Sequence, residues 1–154
     1  VATSVLTKLV AELTGRQQLF SLTGGCHAAL LADSDGNVLA SAEDVGRHNA
    51  LDKAIGEAAN KNVDLSRAIA VLSGRMGFDL VVKCLRVRIP VMASVSAPSS
   101  LAFDLCQAAG ATLLGFVRGE RHEVYCGDDR LSADIANPDS KNPDSNNSDE
   151  PTTS

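Results

Sequence analysis

The chain has 154 residues, 44% of them hydrophobic, which suffices for one domain with a buried core and excludes wholesale disorder. Aromatic residues make up only 3%, with no Trp, which argues against a surface that stacks nucleic-acid bases. The net charge of −5 excludes the basic balance of a duplex-binding module.

Hydrophobic periodicity predicts a helix over residues 5–13, with Gly15 as its stop signal. An extended segment over 19–32, interrupted by two glycines, leads through Asp35-Gly36 into a returning strand over 37–42. The remaining predicted elements are helices over 47–60, 78–87 and 99–109, and strands over 67–72, 89–95, 111–117 and 122–126. This alternation is typical of the α/β class and of parallel βαβ units. We expect a three-layer mixed sheet with helices on both faces.

The composition changes after residue 131. Residues 132–154 are rich in Asn, Asp, Ser and Pro and hold five of the 19 acidic residues against a single lysine. They carry too little apolar surface to offset the entropy of ordering. We therefore predict a domain over 1–131 and a disordered acidic tail over 132–154.

Four cysteines are widely spaced and form no Cys-x-x-Cys pair: Cys26, Cys84, Cys106 and Cys126. No apolar run has the length of a membrane span, and no signal peptide is visible. These features predict a cytoplasmic protein with reduced thiols and no membrane partner. The chain starts with Val1 rather than Met, so we expect either processing or a longer parent protein.

Two polar segments lie near the first predicted strands. The segment 23–27 contains Thr23, Gly24 and His27 and fits either a strand bulge with a buried histidine or a backbone held close to a ligand. The segment 43–49 contains Asp44 and also Arg47 and His48. Its acids suit a helix start, but its cations do not, so a polar ligand site and a decorated cap both remain open.

Three further segments follow later strands. Ser73 and Arg75 belong to a turn that either holds an anion or simply exposes an arginine. The segment 94–100 contains Ser96 and other serines suited to helix capping or to contact with phosphate and ribose. The segment 116–121 places Arg118 and Arg121 around a tight turn, which also fits a solvated hairpin tip.

Together these segments supply four arginines without a basic face, a pattern that favours a phosphate-bearing nucleotide over a nucleic acid. The sequence lacks the H-x-E and P-C-x-x-C signature of zinc deaminases, so we expect no metal site. It also lacks the G-x-S-x-G elbow of serine hydrolases.

Five motifs in this order resemble one known family: TGGCHAA (23–29), EDVGRHNALDK (43–53), SGR (73–75), SAPSSLA (96–102), and TLLGFVRGER (112–121) followed by VY (124–125). They are similar to the formate dehydrogenase accessory sulfurtransferase family, FdhD. The resemblance runs from about residue 20 to residue 131, and the EDVGRHNALDK block is its most specific part. The acidic tail is not covered.

The resemblance implies a cytidine-deaminase-like fold and a sulfurtransferase. Family members pass persulfide sulfur from a cysteine desulfurase to the molybdenum bis-guanine-dinucleotide cofactor before formate dehydrogenase receives it. They work as homodimers and bind the guanine dinucleotide parts, so GDP-like nucleotides serve as partial mimics. In the family, the segment matching Phe116, Val117, Arg118, Gly119, Glu120 and Arg121 contacts the cofactor. We add as candidate cofactor-binding residues Thr23, Gly24, His27, Asp44, Arg47, His48, Ser73, Arg75 and Ser96.

The chain departs from the family in one respect. The family's sulfur-carrying cysteine lies in a Cys-x-x-Cys loop well before the TGG motif, and no cysteine precedes that motif here. We therefore expect the C-terminal portion of a longer protein, in which the catalytic cysteine is unknown. Cys26 is the candidate substitute, because an imidazolium at the adjacent His27 would favour its thiolate. Cys84 and Cys106 fit core packing, and Cys126 stays open. The alternatives are a non-catalytic nucleotide-binding module and a zinc hydrolase on the same fold.

Overall fold

The computed structural model describes residues 1–18 and 26–132. Within that part the helices are α1 (Thr3–Gln18), α2 (Arg47–Asn60), α3 (Phe78–Arg86) and α4 (Ser100–Ala109). The strands are β1 (His27–Ala32), β2 (Val38–Asp44), β3 (Ile69–Leu72), β4 (Val91–Ser94), β5 (Thr112–Arg118) and β6 (Arg121–Cys126). Their order along the chain is the predicted one, and a short 3-10 turn over Asp128–Arg130 adds to it.

The strands form one mixed sheet in the order β2-β1-β3-β4-β5-β6. Neighbours β3, β4 and β5 run parallel, which confirms the predicted βαβ units there. β1 is antiparallel to both β2 and β3, and β6 is antiparallel to β5. The amino end of β1 and the carboxyl ends of β2 to β5 therefore meet at one edge of the sheet, which we call the upper edge.

The sheet is buried on both faces, as predicted for a three-layer fold. Alternate residues of β1 point in opposite directions: Leu31 joins the core formed with α2, α3 and α4, and Leu30 joins the core formed with α1. In α1 the spacing of Leu6, Leu9 and Leu13 places all three on the face that packs against the sheet. Burial of these apolar side chains is the main stabilising contribution to both layers.

The first helix is longer than the sequence predicts. It continues through Gly15 to Gln18, so the prediction that Gly15 ends it is wrong. Gly15 keeps a negative φ and is exposed. A glycine inside a helix costs only about 1 kcal/mol relative to alanine, which the buried leucines on the opposite face outweigh.

Two segments far apart in sequence close the fold on the α1 side. The amino group of Val1 donates to the Arg130 carbonyl at 2.6 Å, and the Ser132 N–H donates to the Val1 carbonyl at 2.7 Å. Ala2 and Ser132 form a parallel bridge. Ser132, the first residue of the predicted tail, is thus part of the packed structure, and residues 133–154 lie outside the described part, where the tail stays a prediction.

Candidate functional site

The upper edge brings together the polar segments that the sequence singles out. His27 begins β1 opposite Asp44 at the end of β2, Ser73 follows β3, and Ser94 ends β4. The segment around His27 precedes its strand instead of following one. It reaches this edge because β1 is antiparallel to its neighbours. Thr23 and Gly24 lie outside the described residues.

Gly74 lies beneath two basic side chains. A Cβ atom at Gly74 would lie 3.1 Å from His27 Nδ1 and 3.5 Å from Arg47 Cδ, so both side chains border the same small space. The loop is tied to β1, because the Ser73 hydroxyl accepts the Ala28 N–H at 2.9 Å. The Arg47 Nε atom is buried and has no hydrogen-bond partner within the described part of the chain.

Ser94 connects two of the loops at this edge. It is fully buried, its hydroxyl donates to the Gly74 carbonyl at 2.6 Å, and it accepts the Ser96 N–H at 3.0 Å. Met76 and Pro98 form a parallel bridge between the same loops. The turns after β3 and β4 are therefore joined by hydrogen bonds into one unit.

Gly115 allows the loop after β4 to lie directly on β5. A Cβ atom there would come within 2.8 Å of Tyr125 Cε2, 2.9 Å of Pro98 Cδ and 3.1 Å of the Ser96 carbonyl oxygen. The next N–H, that of Phe116, donates to the same Ser96 carbonyl at 3.3 Å. A side chain at position 115 would push the Ser96 loop off the strand.

The β5–β6 hairpin carries a bulge at Phe116, where the pairing register shifts and φ is +52°. The side chain of Phe116 is 41% exposed, whereas that of Val117 is buried in the core with α1. A ligand at this edge would therefore meet only the backbone of Val117. The four residues that follow are exposed: Arg118, Gly119, Glu120 and Arg121.

Asp44 is engaged within the chain. Its carboxylate lies 2.7 Å from Lys53 Nζ and accepts the Gly46 N–H at 3.0 Å and an Asn49 amide N–H at 3.4 Å. The bond with Lys53, followed by that with Gly46, lowers the pKa of Asp44 to about 2. Gly46 is the N-cap of α2 and no side chain caps this helix, so of the two interpretations left open for segment 43–49 the structure does not show the cap.

The arginines of the edge are not neutralised by any carboxylate in the described part of the chain. Within the described residues, none of Arg47, Arg75, Arg118 and Arg121 forms an ion pair or a side-chain hydrogen bond. Arg75 is exposed, and His48 is half-buried in the first turn of α2. Guanidinium groups with free donors bind phosphate or carboxylate bidentately, so this edge suits an anionic ligand.

The cysteines fall into two groups. Cys84 and Cys106 are fully buried in the core with α2, α3 and α4, as predicted, and desolvation raises the pKa of each thiol to about 12. Cys126 is half-buried, donates to the Ala111 carbonyl at 3.4 Å, and has its pKa raised by burial. Cys26 is half-buried directly before β1, at the upper edge. Its role as sulfur carrier stays a prediction.

Metal ligands do not cluster in this part of the chain: residues 1–18 and 26–132 contain no group of three His, Cys, Asp or Glu side chains placed to hold a metal ion. Nor does any helix found in these ranges have the length and apolarity to cross a membrane.

Three residues that organise the edge were not among the predicted site residues: Gly74, Ser94 and Gly115. Sequence signals for two of them exist. Ser94 is a hydroxyl at the end of an apolar strand, and Gly115 is a glycine inside an apolar run, which often marks a close approach of backbone. Gly74 gives no such signal, because glycine is common in any strand-to-helix turn.

The model of the FdhD/NarQ family matches residues 1–132. The chain belongs to the FdhD/NarQ family. Among named members, a "Sulfur carrier protein FdhD" of Thermoplasma volcanium is 48% identical over 127 residues, covering 82% of this chain and 46% of that protein. One of Anaeromyxobacter dehalogenans is 50% identical over 138 residues, covering 85% and 48%. The chain thus spans about half the length of the FdhD proteins it matches.

Solved structures agree on the fold. A protein of Desulfotalea psychrophila, described as a formate dehydrogenase accessory protein, superimposes with a TM-score of 0.79 at 31% identity, over 86% of this chain and 56% of that one. A diaminohydroxyphosphoribosylaminopyrimidine deaminase of Thermotoga maritima superimposes with a TM-score of 0.51 at 18% identity, over 61% and 30%. The fold of this FdhD/NarQ member is therefore similar to that of a deaminase, as the sequence predicts.

Proposed function

We propose that this member of the FdhD/NarQ family binds the guanine-dinucleotide portion of a molybdenum cofactor at the upper edge of its sheet while sulfur is delivered to that cofactor. The observation that carries the proposal is the presence along that edge of four arginines that no described carboxylate neutralises. The cofactor is cargo in this proposal and not a resident group.

The chemistry of the edge supports a phosphate-bearing ligand. Arg118 and Arg121 are exposed on the β5–β6 hairpin, and Phe116 beside them offers a partly exposed aromatic ring. Guanidinium groups suit the phosphates, and an aromatic face suits a purine base. Within the described residues, Phe78 is the other exposed aromatic side chain. So few exposed rings favour one nucleotide over a nucleic-acid chain.

The sulfur step is proposed from the family. Relatives bear the name "Sulfur carrier protein FdhD", and a structural relative is described as a formate dehydrogenase accessory protein. We propose that a homodimer of the full-length protein takes persulfide sulfur from a cysteine desulfurase in the cytoplasm and passes it to the cofactor destined for formate dehydrogenase. The four described cysteines form no disulfide with one another, which suits a reducing compartment. Among the four cysteines, Cys26 is the one that lies at the upper edge.

Calorimetric titration with GDP tests the ligand assignment. We expect the wild type to bind GDP, and Arg118→Ala and Arg121→Ala each to weaken binding about tenfold, the loss of one charge-assisted hydrogen bond. Arg86→Ala is the matched control, because Arg86 is an exposed arginine at the opposite end of α3. Absence of binding by the wild type, or equal binding by all variants, contradicts the proposal.

A second measurement separates sulfur transfer from simple nucleotide binding. The chain is incubated with a cysteine desulfurase and cysteine, and persulfide is located by mass spectrometry of the wild type and of Cys26→Ser. Sulfur that appears on the wild type and is absent from the variant assigns the carrier thiol in this chain to Cys26. A chain that binds GDP but never acquires sulfur fits the alternative, a nucleotide-binding module.

A further inference from the structure

We infer that His27, Arg47 and Gly74 form a phosphate subsite that is separate from the arginines of the β5–β6 hairpin. The identity of the whole ligand rests on the proposed function, but the subsite is argued from geometry alone. Its class of ligand is a phosphate or diphosphate group with free anionic oxygens.

A hydrogen-bond donor without an acceptor, Arg47 Nε, belongs to a side chain that lies against Gly74. Arg47 Cδ and the His27 ring border the space that a Cβ atom at Gly74 would fill. Arg47 Nε, bonded to that Cδ, is buried without an acceptor in the described structure. The His27 imidazole likewise forms no hydrogen bond or ion pair in the described structure. A buried charged donor without an acceptor costs free energy, and an anionic ligand removes that cost.

Hydrogen bonds on both sides hold the backbone at Gly74 in place. The Gly74 carbonyl accepts from Ser94, and the preceding Ser73 is bonded to the Ala28 backbone in both directions. The peptide beneath His27 and Arg47 is therefore fixed before any ligand arrives. Because Gly74 has no side chain, the His27 ring and the Arg47 stem lie directly against this peptide.

No described carboxylate forms an ion pair with Arg47. The carboxylate nearest in the strand pairing, Asp44 opposite His27, is bonded to Lys53 at 2.7 Å and so offers no free negative charge. Residues 19–25, which lead into β1, contain no acidic residue in the sequence. Glu43, next to Asp44, has a buried carboxylate oxygen without a hydrogen-bond partner, and it forms no ion pair with Arg47 in the described structure. Arg47 is therefore available to an external anion, for which phosphate is the bidentate match.

The proposed subsite is well separated from the arginines of the β5–β6 hairpin. His27 begins β1 and Arg118 ends β5, with β3 and β4 between them in the sheet. Three strand spacings separate the two backbones by about 14 Å. A ligand that fills both subsites therefore carries phosphate groups at two separate positions, as a cofactor with two dinucleotide arms does.

The proposed subsite is tested by recording the NMR signals of the His27 ring. Inorganic diphosphate is titrated into the full chain, and the ¹⁵N resonances of the His27 ring are recorded. The chain has three histidines, so His27→Gln identifies the signal. We expect diphosphate to shift the His27 resonances, and Arg47→Met to raise the midpoint about tenfold because it keeps the apolar stem and removes the charge.

Gly74→Ala is the second variant. Its Cβ would press on the His27 ring at 3.1 Å, which a side-chain movement can relieve, so the fold is retained while the space is filled. We expect it to move the His27 resonances and to weaken diphosphate binding. Gly77→Ala in the same loop is the control, because a Cβ there meets no atom within 4 Å.

The outcomes separate the subsite from the proposed function. His27 resonances that ignore diphosphate, or a midpoint unchanged by both Arg47→Met and Gly74→Ala, overturn the inference. GDP binding that depends on Arg118 but leaves His27 unmoved overturns it too and leaves the proposed function intact. Diphosphate binding at His27 in a chain that does not bind GDP supports the subsite and rejects the dinucleotide assignment.

Discussion

Ser94→Ala tests whether one buried hydroxyl holds the upper edge together. The hydroxyl donates to the Gly74 carbonyl at 2.6 Å and accepts the Ser96 N–H at 3.0 Å, and the side chain is fully buried. Alanine removes both hydrogen bonds and leaves a space of only one oxygen atom. The cavity contribution is therefore small, and the loss comes from hydrogen bonding.

The expected cost follows from two hydrogen bonds. At a net value of about 1 kcal/mol each, the loss is about 2 kcal/mol. Gly74 and Ser96 are themselves only partly buried, so water can reach their freed backbone groups and limits the further penalty. A loss of that size lowers the melting temperature by roughly 6–10 °C for a domain of this length.

Urea unfolding followed by circular dichroism measures this difference, and Ser100→Ala is the matched control. Ser100 is exposed in the first turn of α4, and its hydroxyl makes no hydrogen bond in the described structure. We expect that control to stay within about 0.5 kcal/mol of the wild type. If Ser94→Ala also changes the unfolding free energy by less than about 0.5 kcal/mol, the hydroxyl does not connect the two loops as described.

Two further predictions concern titratable groups. Because Lys53 lowers the pKa of Asp44 from its ordinary 3.8 to about 2, the carboxylate stabilises the fold above pH 4, and this stabilisation is lost as the pH falls from 4 to 2. Asp44→Asn should therefore lower the urea midpoint at pH 7 but not at pH 2, and an equal deficit at both values would contradict it. At pH 8, iodoacetamide should modify Cys26 in the folded protein but not Cys84 or Cys106, whose thiols are buried with pKa values of about 12. Mass spectrometry of tryptic peptides checks this, and early labelling of Cys84 would refute it.

Local patterns were sufficient to predict the elements and their order. The apolar spacing over 47–60 predicts α2 at its observed bounds, because its buried residues recur at helical intervals. The serines of segment 94–100 fit helix capping, and α4 is capped in this way: the Ser99 hydroxyl accepts the Ala102 N–H, and Gly110 after the helix takes the left-handed conformation. The prediction that α1 ends at Gly15 is wrong because sequence alone does not distinguish a glycine inside a helix from one at its end. The buried leucines of α1 decide the matter, and they are known only from the structure.

Strand order and loop contacts could not be predicted in the same way. The antiparallel placement of β1 between β2 and β3 depends on pairings between distant segments, which local periodicity does not encode. The sequence marks the motif around His27 as a candidate site, but the position of His27 at the start of a strand, opposite Asp44, depends on that topology. Val117 shows the same limit: its motif predicted ligand contact, whereas the bulge at Phe116 turns its side chain into the core.

The hydrogen bonds that join the loops of the upper edge have a consequence for binding thermodynamics. Ala28 is bonded to Ser73, Gly74 to Ser94, and Ser96 to Phe116, so neighbouring loops share bonds from β1 across to β5. The conformational entropy of these backbones is lost during folding and not when a ligand arrives. A ligand then orders little more than the long arginine side chains, each about 0.5–1.5 kcal/mol. Differences in affinity between nucleotides should consequently arise from side-chain contacts and not from loop closure.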